Sequence, residues 1–225
     1  MNGRYQDRRH AGRILASCLQ RYANLDDVIV LALPRGGVPI GFEVAMCLRA
    51  PLDVFVVRKL GVPGDEELAM GAVASGGVRV LNEVFIAELE LSEETIDAVV
   101  TEERRELVRR ERAYRGGLPP LDLANRNVVL VDDGLATGST MSAAIAGVRQ
   151  HTPRRIIVGV PIAAPSTCEE ISALADDMVC AATPEPFRAV GAWYANFSQT
   201  TDTEVRTLLD AARADARQRA PAASL

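Results

Sequence analysis

The stretch VVLVDDGLATGST, Val128 to Thr140, constrains the chain more than any other. Four apolar residues stop abruptly at two adjacent carboxylates, Asp132 and Asp133, and small or hydroxylated residues follow. A short apolar run of this kind reads as a strand buried on both faces, the kind found in parallel sheets. The unit repeats. DDVIVLALPRGG gives a strand at 28–33, a turn at 34–37 and a helix over 38–49. LDVFVV (52–57) is a second strand. Strand 127–132, helix 138–149, strand 155–160, helix 166–175 and strand 177–181 continue the alternation, and DTEVRTLLDAARADARQR closes it with a capped helix. Strands alternating with helices predict an α/β fold, a three-layer, mostly parallel sheet with helices on both faces. Such sheets bind ligands beyond the carboxyl ends of their strands. The loops 34–37, 58–71 and 133–140 each follow a predicted strand, so they are expected to gather at one edge.

Other segments depart from this rhythm. RKLGVPGDEELAMG is polar and glycine-rich and reads as a long mobile loop. AVASGGVRVL reads as a hairpin around Gly76-Gly77. A short helix is expected at 83–90, and Ser92 with an acidic first turn opens a longer one to about Tyr114. The charges of this helix alternate in sign. They suit a solvated face laced with i,i+4 pairs, a dimer arm, or an anion pocket completed by Arg109, Arg112 or Arg115. Segment 83–115 is therefore read as a helical insertion in a single domain spanning 1–225.

A chain of 225 residues has room for one large core. Its net charge of -5 argues against general nucleic-acid binding. No apolar run approaches the roughly 20 residues that span a bilayer. The charged N-terminus lacks the apolar segment of a signal peptide, so a cytoplasmic location is expected. Cys18, Cys47, Cys168 and Cys180 show no metal-ligand spacing and are read as free, buried thiols.

The chemistry lies in 133–140. A helix beginning near Gly138 offers free N–H groups and a positive dipole end to an anion. Thr137, Ser139 and Thr140 add hydroxyl donors. Asp132 and Asp133 cannot face that anion; they suit hydroxyl groups or a cation. A sugar phosphate presents both ends. A nucleotide-binding P-loop is excluded because Gly134 and Gly138 are too close and no lysine follows, and LPRGGVPIG does not match a dinucleotide fingerprint.

VVLVDDGLATGST resembles the phosphoribosyl-pyrophosphate signature of type I phosphoribosyltransferases. The resemblance implies that Asp132 and Asp133 bind the ribose hydroxyls and that Ala136, Thr137, Gly138, Ser139 and Thr140 hold the 5-phosphate. LPRGG (Leu33 to Gly37) is similar to the family's pyrophosphate loop. There Arg35 would supply charge-assisted donors and Gly36 and Gly37 would let backbone amides approach, with a cis peptide expected at Arg35-Gly36. VRKLGVPGDEELAMGAV resembles the flexible catalytic loop, with Arg58 and Lys59 at its base facing pyrophosphate. Over about residues 5–210 the chain looks closest to bacterial stand-alone phosphoribosyltransferases of unsettled substrate.

The reaction so implied is displacement of pyrophosphate from ribose C1 by a nitrogen of a nucleobase or similar acceptor. Mg²⁺ would bridge pyrophosphate and ribose hydroxyls, reaching Asp132 and Asp133 indirectly through hydroxyls or water. Arg35, Lys59 and Arg58 would stabilise the leaving group. Enzymes acting on 6-oxopurines carry an aspartate where this chain has Ala136, which argues against that base chemistry; the loop is more similar to the adenine enzymes. If a general base is needed, Glu66 or Glu67 is the candidate. A small hood built from about 5–20 and 185–200 would hold the acceptor. Trp193 and Tyr194 are read there either as a stacking platform or as a core plug. A homodimer is expected from the resemblance alone. The competing class is a non-catalytic sensor of phosphoribosyl pyrophosphate or nucleotide; the retained Arg35-Gly36-Gly37 and Arg58-Lys59 favour an enzyme.

Overall fold

The computed structural model describes residues 4–219, and of Glu66 and Glu67 only the backbone. The chain opens with helix α1 (Arg8–Cys18), capped by Asp7, whose side chain accepts from the His10 amide at 2.7 Å. Strand β1 (Val28–Ala32), helix α2 (Gly37–Leu48) and strand β2 (Leu52–Val54) follow. Strands β3 (Val57–Val62), β4 (Asp65–Ala74) and β5 (Val78–Leu81) precede helices α3 (Glu83–Glu88) and α4 (Glu93–Arg115). The remainder alternates: β6 (Asn127–Val131), α5 (Ser139–Arg149), β7 (Arg155–Ile162), α6 (Pro165–Leu174), β8 (Asp177–Ala182) and α7 (Asp202–Arg219).

Five strands form one parallel sheet in the order β2-β1-β6-β7-β8. Every residue of β1 and β6 is buried. Their alternation splits the core in two. Val28, Val30 and Ala32 pack with Leu15 of α1, Val44 of α2 and Val205 of α7; Ile29 and Leu31 pack on the other face with Met141 and Ile145 of α5 and Ile171 of α6. A strand apolar at every position can only be satisfied between two layers of helices, which is why the three-layer α/β expectation holds.

The segment 58–71 differs from the sequence reading. It is not a loop: β3 and β4 pair antiparallel around a turn at Pro63-Gly64, and β5 completes a second, three-stranded sheet. Its inward anchors, Leu60 and Met70, are both fully buried but too sparse among glycines and charges to show a period of two. The hairpin expected at Gly76-Gly77 is present, both glycines having positive φ. Helix α4 follows its predicted course from its Ser92 cap, which accepts from the Thr95 amide at 3.2 Å. Cysteine placement also differs from expectation. Cys168 and Cys180 are joined as a disulfide, and Cys18 and Cys47 are exposed. The residues lie 12 positions apart in sequence, and only the docking of α6 beside β8 brings them together. Among the described residues no helix is long and apolar enough to cross a membrane.

Candidate functional site

Parallel pairing of β1 with β6 puts their carboxyl ends side by side, and the Leu33 amide donates to the Val131 carbonyl at 2.9 Å. The loop 33–37 therefore abuts Asp132 and Asp133. The contact explains the glycine at 36. A Cβ there would lie 2.0 Å from Asp133 Oδ2, so a side chain and the carboxylate cannot share the space. The cis peptide falls at Pro34-Arg35, one bond before the expected position.

The loop after β6 leads into α5 at Gly138, where the sequence places the start of a helix. Gly138 takes φ +70 as the residue before α5, a conformation that disfavours side chains, and frees the first amides of the helix. The Thr137 and Ser139 hydroxyls lie 3.2 Å apart, and both residues are exposed. Thr167 of α6 donates to the Ala136 carbonyl at 2.7 Å and steadies the loop from behind, a role that no local motif announces.

A cavity of about 780 Å³ lies between the 33–37 loop, the β3–β4 hairpin and the start of α5. Pro34, Arg58, Lys59, the Gly61–Gly64 turn and Thr140 line it on three sides. Helix α4 supplies the fourth through Val99, Glu102 and Glu103. Arg58 is gripped by Glu103 at 2.6 Å, whereas Lys59 is exposed and makes no ion pair with the described side chains. Arg35 is half-exposed and points to Asp202 of α7 at 3.7 Å, which also accepts from the Tyr114 hydroxyl at 2.7 Å. The arginines of α4 do not reach the cavity wall. Arg109 pairs with Glu106 and Arg115 with Asp53. The side chains of Glu66 and Glu67 lie outside what the structure describes.

The two carboxylates are held in a strained electrostatic setting. Burial first, and then the neighbouring Asp133 charge, push Asp132 well above the usual carboxylate range. Asp133 is also raised by burial, with Arg8 opposing the shift. Asp132 Oδ1 accepts the Asp133 amide at 2.8 Å. Among the described residues no group of three acidic, histidine or cysteine side chains could cage a metal.

The two segments predicted as a hood do meet. Tyr5 donates its amide to the Trp193 carbonyl at 2.8 Å and accepts from the Ala195 amide at 2.7 Å. Tyr194 is buried between Tyr5 and Phe197, and its hydroxyl donates to the Asp133 carbonyl at 2.5 Å; it is a core plug. Burial pushes that hydroxyl far above the ordinary tyrosine range. Trp193 instead lines a separate cavity of about 340 Å³ with Tyr5, Ile162 and the 180–184 segment, at the carboxyl ends of β7 and β8.

A family model described as a phosphoribosyl transferase domain matches residues 3–192. Two Mycobacterium tuberculosis proteins, from strains CDC 1551 / Oshkosh and ATCC 25618 / H37Rv, carry the provisional name phosphoribosyl transferase and are 47% identical to this chain over 213 residues. The match takes in 94% of this chain and 47% of theirs, so the chain spans about half the length of these curated relatives. The crystal structure of the protein TT1426 from Thermus thermophilus superposes with a TM-score of 0.81 at 43% identity, covering 92% of this chain and 97% of that one.

Proposed function

Because this chain belongs to the phosphoribosyl transferase family, we propose that it moves the 5-phosphoribosyl group of phosphoribosyl pyrophosphate onto a nitrogenous acceptor such as a nucleobase. The observation that carries the reading is one cavity lined by Pro34, Arg58, Lys59 and Thr140, at the N-terminus of a helix that closely follows two adjacent carboxylates. One sugar phosphate satisfies both. Its 5-phosphate would sit on residues 136–140 and its hydroxyls on Asp132 and Asp133. The pyrophosphate would lie towards Arg35, the amides of Gly36 and Gly37, Arg58 and Lys59.

In this reading the residues bind, orient and exclude water, and catalysis is chiefly positioning and electrostatics. Positive charge developing at ribose C1 would lie near Asp132 and Asp133. Mg²⁺, when bound with the substrate, would neutralise the leaving pyrophosphate. The absence of a carboxylate at Ala136 leaves the phosphate loop with no general base, which argues against the 6-oxopurine chemistry; if a base is needed, Glu66 or Glu67 is the candidate. The Trp193 cavity is the proposed acceptor site, with 5–20 and 185–200 as its hood and Tyr194 as a structural member of it. Segment 83–115 is read as an insertion in a single domain. A homodimer is expected on family grounds, and light scattering in solution would test it.

The functional test is a panel of nitrogenous bases incubated with phosphoribosyl pyrophosphate and Mg²⁺, with pyrophosphate release as the readout. Release with one acceptor class is expected. Tight binding of phosphoribosyl pyrophosphate without release from any acceptor would instead favour the sensor.

A further inference from the structure

Arg8 lies outside every motif that carries the family resemblance, yet its side chain is only 12% exposed. Its Nε and Nη2 each lie 2.8 Å from Oδ2 of Asp133. Its Nη1 donates to the Ser198 carbonyl at 2.7 Å, and its guanidinium stacks 3.9 Å from the centre of the Phe197 ring. A guanidinium engaged on two edges and one face is a fixed group, unlike a solvated surface pair. Oδ2 of Asp133 is thereby saturated and turned towards Gly36, whose missing Cβ leaves room for it. Among the described residues Oδ1 accepts no hydrogen bond, and it is the oxygen left for a ligand.

We propose that Arg8 is a positioning residue for sugar-phosphate binding: by holding Oδ2 it fixes the orientation of Asp133 and presents Oδ1 to a ribose hydroxyl. The inference rests on the reading of Asp133 as a ribose ligand. A misplacement of about 1 Å at such a group is enough to lose much of its value. The rival account is that the pair merely staples α1 to the 193–198 segment.

Calorimetric titration of phosphoribosyl pyrophosphate, with a thermal melt of each variant, separates the two. Arg8→Gln is expected to weaken binding about tenfold, the worth of one charge-assisted hydrogen bond. Arg8→Lys keeps the charge but lacks the fork and should lose about threefold. In an Asp133→Asn background, Arg8→Gln should change affinity by less than about twofold, because there is no carboxylate left to orient. Full affinity in folded Arg8→Gln, or the same tenfold loss in the Asp133→Asn background, overturns the proposal. If Arg8→Gln does not fold, Arg8→Lys decides, and unchanged affinity there overturns it. Asp133→Asn binding as well as the parent would overturn the ribose assignment itself.

Discussion

Asp132 shows most directly what burial beside a second carboxyl does to a single residue. Its carboxyl is buried beside a second carboxyl and is pushed well above its ordinary range. A raised folded-state value means that the folded protein holds the proton more tightly than the unfolded chain does. Stability from this group is fully present below the unfolded value of about 3.9 and is lost as pH rises towards the folded value. Asp132→Asn keeps the oxygen that accepts from the Asp133 amide and removes the charge. It should melt at a higher temperature at pH 7, by about 2–4 °C for each kcal/mol recovered in a chain of this size. The advantage should shrink as pH falls from the folded value and be gone below about 4, and affinity for phosphoribosyl pyrophosphate should fall. A melt series from pH 3 to 8 checks the slope; a variant less stable at pH 7 would refute the argument. At this scale the sequence was informative where function is local. Asp132, Asp133 and the 137–140 hydroxyls sit in one continuous stretch, so they could be proposed together. Arg8, Thr167 and Asp202 reach the site from distant elements, and nothing beside them in sequence marks them.

Among the elements, α4 and the β3–β4 hairpin changed most between sequence and structure. The alternating charges of α4 suggested a solvated face, and much of it is one, with Glu106 gripping Arg109 and Arg110. Its middle turn does something else. Val99, Glu102 and Glu103 face the cavity, and Glu103 ties down Arg58. Of the arginines suited by sequence to an anion pocket, Arg109 pairs with Glu106 and Arg115 with Asp53, Arg112 does not line the cavity, and Glu102 and Glu103 form an acidic wall there instead. Glu103→Gln releases Arg58 and removes a negative charge from the cavity. Affinity for inorganic pyrophosphate in the presence of Mg²⁺ should rise about threefold at low salt, with the gain falling as salt is added. Titration at two ionic strengths would show it; an unchanged affinity would mean that Arg58 does not serve pyrophosphate. The hairpin escaped detection because a strand pair laid over a cavity needs few apolar anchors, here Leu60 and Met70.

For the molecule as a whole, the informative feature is the seam between its N-terminal segment and residues 193–196. Residues 5–6 run beside 193–196, and the Tyr5 hydroxyl donates to the buried Pro161 carbonyl at 2.7 Å. Burial raises that hydroxyl to about 12, so it stays protonated and remains a donor at any physiological pH. Tyr5→Phe leaves the carbonyl unpaired and should cost about 1–3 kcal/mol. Amide exchange at Ala195 and Asn196 should quicken together if the seam opens as a unit; unchanged exchange at both would show that it does not depend on this bond. The sequence by itself determined the layers of this protein and the phosphate-type loop. Buried strands must alternate with helices, and a strand–DD–TGST run carries its chemistry within a few residues. Only the tertiary structure decided what steadies that loop, what opposes the charge of Asp133, and which wall of the cavity is acidic. Those contacts join residues more than a hundred positions apart in the case of Arg8 and Asp133, and hydrophobic periodicity records which face is buried, not which side chain it will meet.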